Sequence, residues 1–337
     1  LVDKKMRDNA KLSAWRITLG KIVSDPQERR RIAHMIGINH VTLTRWSTHI
    51  STPRMDSLHR MVQAIPTHRQ QFLDLIPEEF PDFLTKDAPK ASSIVQEIPS
   101  AFYEQVIQAY TSNQPLLRCS SIRVTIIQQI VSQLDPALAG IAASISVCVP
   151  PHQDGGVRSL REYIGRGTAP WHSHLENRLG FLGIESPQGY AIAQGRSIVM
   201  NSHEEKVIHY PGHHVAWEKS AIACPLIQAG NVAGCLYISS PQKDFFEETL
   251  TSIAQSYANL LTLGFLPHEF YNLKQITLGI MPPNVVQQPH LQKFQPRVSQ
   301  RMRELQKCKP VSRSDAETSV LQDMEEELLH LPYQELA

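Results

Sequence analysis

The sequence predicts a multidomain chain of α and α+β class. It should hold an N-terminal all-α bundle, a central antiparallel sheet with flanking helices, and a helical C-terminal tail. Three observations carry this reading. Residues 11–76 form a series of short amphipathic segments interrupted by Gly37 and Pro53. Residues 77–99 place Pro77, Pro81, Pro89 and Pro99 among Lys, Ser and Asp, the composition of a semi-extended linker. Beyond the linker, helix, strands, loop, hairpin and helix follow in that order, which is α+β and not a doubly wound parallel sheet. The expected division is 1–76, a linker over 77–99, a second domain over 100–265, and a partly flexible acidic tail over 266–337.

In the front segment, Asp25 supplies an N-cap and Pro26 the first helical position of "PQERRRIAHMI". Gly37 ends that helix, and Asn39 caps the next. Pro53 closes the third helix. In "RMDSLHRMVQAI" the residues Met55, Leu58, Met61, Val62 and Ile65 share one helical face. A further short helix is predicted over 70–76.

In the rear segment, "CSSIRVTIIQQIVSQLD" sets Ile122, Ile126, Ile127, Ile130 and Val131 on one stripe of an amphipathic helix. "IAASISVCV" reads as a strand and Val157–Ile164 as a second, followed by an irregular stretch from Gly165 to Pro187. "GYAIAQG" reads as a short helix before a strand at Ser197–Met200. "SAIACPLIQAGNVAGCLYISS" is a hairpin turning at Ala229-Gly230-Asn231. "FFEETLTSIAQSYANLLTLGF" closes the unit as a helix. In the tail, "SDAETSVLQDMEEELLHL" starts with Ser314 as a plausible N-cap and aligns Val320, Leu321, Met324, Leu328 and Leu331.

Residues 26–50 combine a basic helix, a glycine turn and a second helix with one polar side, the geometry of a helix-turn-helix pair. Ile32, Ala33 and Ile36 should face Ile38, Leu43 and Trp46. Asn39, His40, Thr42, Thr44 and Arg45 are then left on or near the outer face. Asn and Arg can make bidentate contacts to base edges, and Thr can meet a thymine methyl or a phosphate. Arg29, Arg30 and Arg31 begin the supporting helix, where phosphate contacts are expected. The stretch "RRRIAHMIGINHVTLTRWSTHISTPRMDSLHRMVQAI" resembles the Xre/lambda-repressor type of helix-turn-helix domain. Ile32-Ala33, Ile36-Gly37-Ile38, Thr42-Leu43-Thr44-Arg45-Trp46, Pro53 and Leu58 stand at the matching places. Asn39 replaces the usual serine, and Arg29 replaces a frequent glutamine. The resemblance implies double-stranded DNA as a partner. The composition alone also allows a helical domain that binds protein or whose basic face is merely solvated.

Residues 100–264 resemble GAF domains, sensor modules with an antiparallel sheet between helices. Gly189, Ala191, Gly195, Ser197 and Ile198 keep the rhythm of one family motif; Ser220, Pro225, Gly230, Gly234 and Leu236 match the late hairpin. The resemblance implies a small-molecule effector, or dimerisation through the helices at 101–134 and 243–265. Arg158, Arg161, Tyr163, Trp171, Glu176, Arg178 and Trp217 are the candidate pocket residues. Loop histidines (152, 172, 174, 203, 209, 213 and 214) show no fixed ligand spacing, so no metal site is assigned. No cofactor is assigned either.

Whole-chain features set the remaining limits. The chain has 337 residues, is 42% hydrophobic, and has a net charge of +1 that hides an uneven distribution. Residues 1–69 hold 13 Lys and Arg against 5 acidic residues, and residues 312–337 hold 1 against 7. Three roles stay open for the acidic tail: a solvated face, packing on a second subunit, or competition with DNA for the basic front. Five scattered cysteines without a CxxC pair suit free thiols in a reducing cytoplasm, the expected location. No apolar run is long enough to cross a bilayer, and no partner membrane is expected. There is no GxSxG, HExxH, phosphate-loop or CxxC motif, so no catalytic residues are assigned and an enzyme is not expected. The expectation is a dimeric, sequence-specific DNA-binding transcriptional regulator. Two alternatives stay open: an architectural or assembly-forming DNA binder with a ligand-free platform, and a signalling adaptor whose N-terminal helices bind protein.

Overall fold

The computed structural model describes residues 13–65, 68–80, 83, 97–112, 114–136, 139–151, 155–175, 180–210, 215, 217–306 and 312–331. The chain divides into two compact units, residues 1–90 and 91–337.

The first unit is helical: α1 (Ala14–Val23), α2 (Pro26–Ile36), α3 (His40–Ser47), α4 (Met55–Ala64) and α5 (Arg69–Leu75), then a 3-10 turn over Ile76–Glu78. Asp25 Oδ1 accepts the Gln27 backbone N–H at 2.8 Å, which starts α2 ahead of Pro26. Gly37 ends α2 at φ 75°, a left-handed conformation that glycine reaches without penalty. The Ile38 N–H then returns to the Ala33 carbonyl at 3.0 Å, the longer bond of a Schellman close. Ile32, Ala33, Ile36, Leu43, Trp46, Leu58, Met61 and Val62 are buried in one core with Trp15, Leu19 and Phe72. Trp46, 4% exposed, has the core role its spacing suggests.

One interaction in this unit was invisible to periodicity. Arg16 is fully buried, and its guanidinium meets Glu79, with Nη2 2.6 Å from Oε1 and Nε 2.9 Å from Oε2. Ser13 Oγ and Trp15 Nε1 also donate to Glu79 Oε2, at 2.5 and 2.8 Å. The Arg16 hydrogen bonds, ahead of those from Ser13 and Trp15, hold the Glu79 carboxyl at about 2 against the burial that opposes them. Glu79 and the buried Phe83 therefore belong to the bundle, although the sequence places both within the linker. Residues 84–96 of that expected linker lie outside the described residues.

The second unit begins with α6 (Ser100–Ser112) and α7 (Pro115–Leu134). There follow β1 (Ala142–Cys148), β2 (Leu160–Gly167), β3 (Phe181–Leu182), α8 (Pro187–Gln194), β4 (Ile198–Met200) and α9 (His203–His209). Next come β5 (Ser220–Gln228), β6 (Asn231–Ser240), α10 (Glu248–Leu261) and β7 (Tyr271–Asn272). The helices α11 (Asn284–Leu291), α12 (Phe294–Leu305) and α13 (Arg313–Leu329) end it. The strands form one antiparallel sheet in the order β3-β2-β1-β6-β5-β4, with β7 added on β6. The hairpin turn comprises only Ala229 and Gly230, since Asn231 already pairs with Gln228.

The second strand runs later than its sequence suggests. Gly165 and Gly167 read as turn residues, yet they pair with Ser144 and Ala142 of β1. The glycine at 167 serves a close approach: a Cβ there would lie 2.8 Å from the Trp171 Cβ. Period-2 alternation sends Ala143, Ile145, Ile222, Leu236 and Ile238 to one face of the sheet. There they meet Ile122, Ile126, Ile127 and Ile130 of α7 and Ile253, Ala254 and Tyr257 of α10.

The C-terminal segment differs most from expectation. Over its described residues it is packed: Val320, Leu321, Met324 and Leu328 of α13 are buried in a cluster with Val149 and Phe181. Ser312, two residues before the expected cap, accepts the Asp315 N–H at 3.1 Å. Gln322 donates to the Pro150 and Pro151 carbonyls at 3.0 Å each. Gln287 Oε1 accepts the Phe181 N–H and its Nε2 donates to the Phe181 carbonyl, both at 2.8 Å. Residues 307–311 and 332–337 of the expected tail lie outside the described residues.

Replacing Glu79 with Gln should destabilise the first unit by about 3 kcal/mol at neutral pH, because Arg16 keeps a buried charge without its counterion. The depressed Glu79 pKa implies that this contribution is complete above about 4.5 and is lost as pH falls towards about 2. Denaturant melts of wild type and variant across that range should converge at the acid end. Equal stability at pH 7 would refute the assignment.

Candidate functional site

The sheet face opposite α7 and α10 carries Ser144, Tyr237 and Ser239, and a cleft of about 70 Å³ opens over them. Its walls include Trp171 and Leu175 from the loop after β2, Gln188 from α8, and Glu218 just before β5. Glu218 is only 1% exposed. Its Oε1 accepts the Tyr237 hydroxyl at 2.6 Å and also meets Lys206 Nζ, and its Oε2 accepts the Ser239 hydroxyl at 2.6 Å. Burial first, and the adjacent Glu218 charge next, push the Tyr237 hydroxyl well above its usual range, so it remains a donor. Lys206 is 3% exposed and arrives from α9, whose first turn is capped by Ser202 Oγ accepting the Glu205 N–H at 3.1 Å. The result is a polar cluster around one buried ion pair.

Gln188 sits at the start of α8. Ser186 caps that helix by accepting the Gly189 N–H at 3.0 Å, and Pro187 occupies the first position. The Gln188 side chain is 2% exposed, and its Oε1 has no hydrogen-bond partner. A buried acceptor in that condition is uncommon and marks a position of interest.

Of the pocket residues expected from the sequence, Tyr163 and Trp171 line the cleft. Trp217 is 38% exposed and is not among the lining residues. Arg158 is not among the lining residues: its Nη2 lies 3.2 Å from Glu325 Oε2 and 2.5 Å from Glu326 Oε2, so it fastens α13 to the strand region. Glu176 and Arg178 lie outside the described residues. Arg161 stacks towards Tyr163, its guanidinium 5.4 Å from the ring centre. Sequence reasoning missed Gln188, Lys206, Glu218, Tyr237 and Ser239. The two β6 residues had a signal, since their period-2 spacing places polar atoms on one face of an otherwise apolar strand.

The strand-borne cysteines are buried, and burial disfavours their thiolates. Burial pushes Cys148 up to about 12 and Cys224 to about 11, and raises Cys235 as well. All three are protonated at neutral pH and poor nucleophiles. Cys308 lies outside the described residues. Among the described residues no group of three or more His, Cys, Asp or Glu could hold a metal ion, and no helix is long and apolar enough to cross a membrane.

A second candidate surface lies in the first unit. Gly37, Ile38 and Asn39 join α2 to α3, and Asn39 Oδ1 accepts the Val41 N–H at 2.9 Å. The Asn39 side chain therefore already has a structural task. His40 and Arg45 are exposed, and Thr42 and Thr44 are half-buried. On α2, Arg30 is exposed, while Arg29 is half-buried with Nη1 donating to the Val23 carbonyl at 3.3 Å. Arg31 is held by Glu28 at 2.7 Å and by the Ala64 carbonyl at 3.1 Å.

Substituting Glu218 with Ala should cost about 3–5 kcal/mol, because it strands the Lys206 ammonium in the interior. A Lys206→Met, Glu218→Ala double variant should recover much of that loss, as coupled pairs do. Thermal melts of single and double variants measure the coupling, and simple additivity would disprove it.

The sequence profile of the GAF domain family matches residues 124–265. No curated protein matches the chain. Among solved structures, the second unit is similar to the GAF domain of an Acinetobacter phosphoenolpyruvate-protein phosphotransferase, with 12% identity, a TM-score of 0.35, and coverage of 49% of this chain and 90% of that one. It is also similar to a free methionine-R-sulfoxide reductase from Neisseria meningitidis, with 15% identity, a TM-score of 0.31, and coverage of 50% and 92%. A third is the GAF domain of a phosphoenolpyruvate-protein phosphotransferase from Coxiella burnetii, with 17% identity, a TM-score of 0.29, and coverage of 48% and 89%. On the family match, residues 124–265 of this chain are a GAF domain.

Proposed function

We propose that the chain is a sequence-specific DNA-binding transcriptional regulator in which the first unit is an Xre-like reader and the GAF domain senses a small molecule, dimerises, or both. The observation that carries the reading is the α2–turn–α3 pair. Its short turn is closed by Gly37 and Ile38, and its apolar side is buried through Ile32, Ala33, Ile36, Leu43 and Trp46. The opposite side of α3 offers His40 and Arg45 to solvent, with Thr42 and Thr44 partly accessible. Arg45 has the fork geometry that reads a guanine edge, and Arg30 supplies a backbone contact. Asn39 keeps its capping bond and contributes from the rim of the site. One short helix reads few base pairs, so two copies on a pseudo-palindrome are required. The exposed Tyr103, Ile107 and Tyr110 of α6 support a pairing surface on the helices flanking the GAF domain. The reading assigns no catalytic step.

One observation favours a second reading. The cleft of about 70 Å³ is well below the ~300–1,000 Å³ of ordinary ligand sites, which suits a GAF domain used as a ligand-free platform.

Site selection from random duplexes, followed by titration at several salt concentrations, tests the first reading. Arg45→Ala should lose about 1–3 kcal/mol, mainly at one base pair. Arg30→Ala should weaken all duplexes alike and lower the salt slope by about one. Absence of binding to any duplex at low salt would eliminate the DNA-reading role.

A further inference from the structure

The walls of the GAF cleft have a consistent chemical bias. Among the described residues that line it are two carboxylates, Glu162 and Glu218, and the amide of Gln188, but no Lys, Arg or His. Gln188 Oε1 is buried without a donor, a condition that an incoming N–H or O–H relieves. Glu218 accepts one hydrogen bond at each oxygen, from Tyr237 at Oε1 and Ser239 at Oε2, and Lys206 Nζ lies in ion-pair contact with Oε1. Each carboxylate oxygen has two acceptor directions, so Oε2 retains one. The one cation bonded to Glu218, Lys206, comes from α9 and does not line the cleft.

These features favour some ligands over others. A carboxylate or phosphate would face acceptors with no cation among the described lining residues. A cleft of about 70 Å³ favours a small group over a bulky cyclic or linear cofactor. A small ammonium group matches on both counts. It carries three donors for Gln188 Oε1 and Glu218 Oε2, and its positive charge is favoured beside the carboxylates of Glu162 and Glu218. A short alkyl portion would lie against Leu175 and Val215.

We propose that this cleft binds a small primary alkylammonium, with Gln188 as the residue that selects an N–H donor. The proposal rests on the reading of the GAF domain as a small-molecule sensor.

Calorimetry on the full chain in an amine-free buffer tests it with three probes of matched size: n-propylammonium, propionamide and propionate. The expected order is saturable binding of propylammonium, about tenfold weaker binding of propionamide, and none of propionate. Gln188→Met, of similar length without an acceptor, should weaken propylammonium about tenfold, and Gln188→Glu should preserve or tighten it. Circular dichroism melts establish that each variant is folded, and the Glu variant tests the proposal even where the Met variant is not. Propionate binding as tightly as propylammonium, or an unchanged affinity in folded Gln188→Met, overturns the proposal. Native mass spectrometry separates this failure from that of the sensor reading. A retained neutral or anionic molecule overturns the ammonium and leaves a sensor. No retained molecule and no binding of any probe overturns both.

Discussion

Glu218 is almost completely removed from water, and a carboxylate in that position must collect partners or destabilise its surroundings. Its partners come from separate elements: Lys206 from α9, Tyr237 and Ser239 from β6. Satisfying one charge thus fixes where α9 sits, where β5 begins, and which side chains form the floor of the cleft. A hydrophobic trio in the same volume could stabilise the fold as well or better. What it would not provide is a polar floor with directional acceptors, the feature on which the proposed ligand selectivity depends.

The first unit uses a related device for a different end. Arg16 bonds Glu79, and its Nη1 also donates to the Trp46 carbonyl at 2.5 Å and the Ser51 carbonyl at 3.4 Å. Carbonyls at a helix C-terminus have no partner within the helix. Arg16 supplies one to the end of α3, and so holds the proposed recognition helix against α1. Rigidity at the buried end permits a polar, exposed face at the other side.

Much of the fold was legible from local pattern. Ile122, Ile126, Ile127 and Ile130 are buried as their helical spacing requires, and the β5–β6 hairpin turns where Ala229-Gly230 interrupts two apolar runs. Asn39 caps α3, as its place after Gly37 suggested. The buried and half-buried ion pairs that tie elements together were far less legible, because their partners are distant in the chain. Arg16 and Glu79 are 63 residues apart, and Arg158 and Glu325 are 167 apart. No periodicity reports such pairs. Arg158 therefore looked like a pocket residue while its partner looked like part of a solvated acidic face. Glu218 was overlooked beside Trp217, since nothing local to a charged pair such as Glu218-Lys219 distinguishes the buried member from the exposed one.

The contact between Gln287 and Phe181 has a further consequence. β3 is short and lies at the end of the sheet, with β2 as its strand neighbour. An exposed edge of that kind is a template on which another chain can add a strand. The Gln287 side-chain amide occupies both backbone groups of Phe181, imitating the strand that would otherwise bind there. Helix α11 thereby covers backbone groups that this edge would offer to another strand. A chain cut short before α11 would keep its ligand cleft residues but lose that protection, and insolubility on truncation would then reflect an uncovered sheet edge and not a failed core.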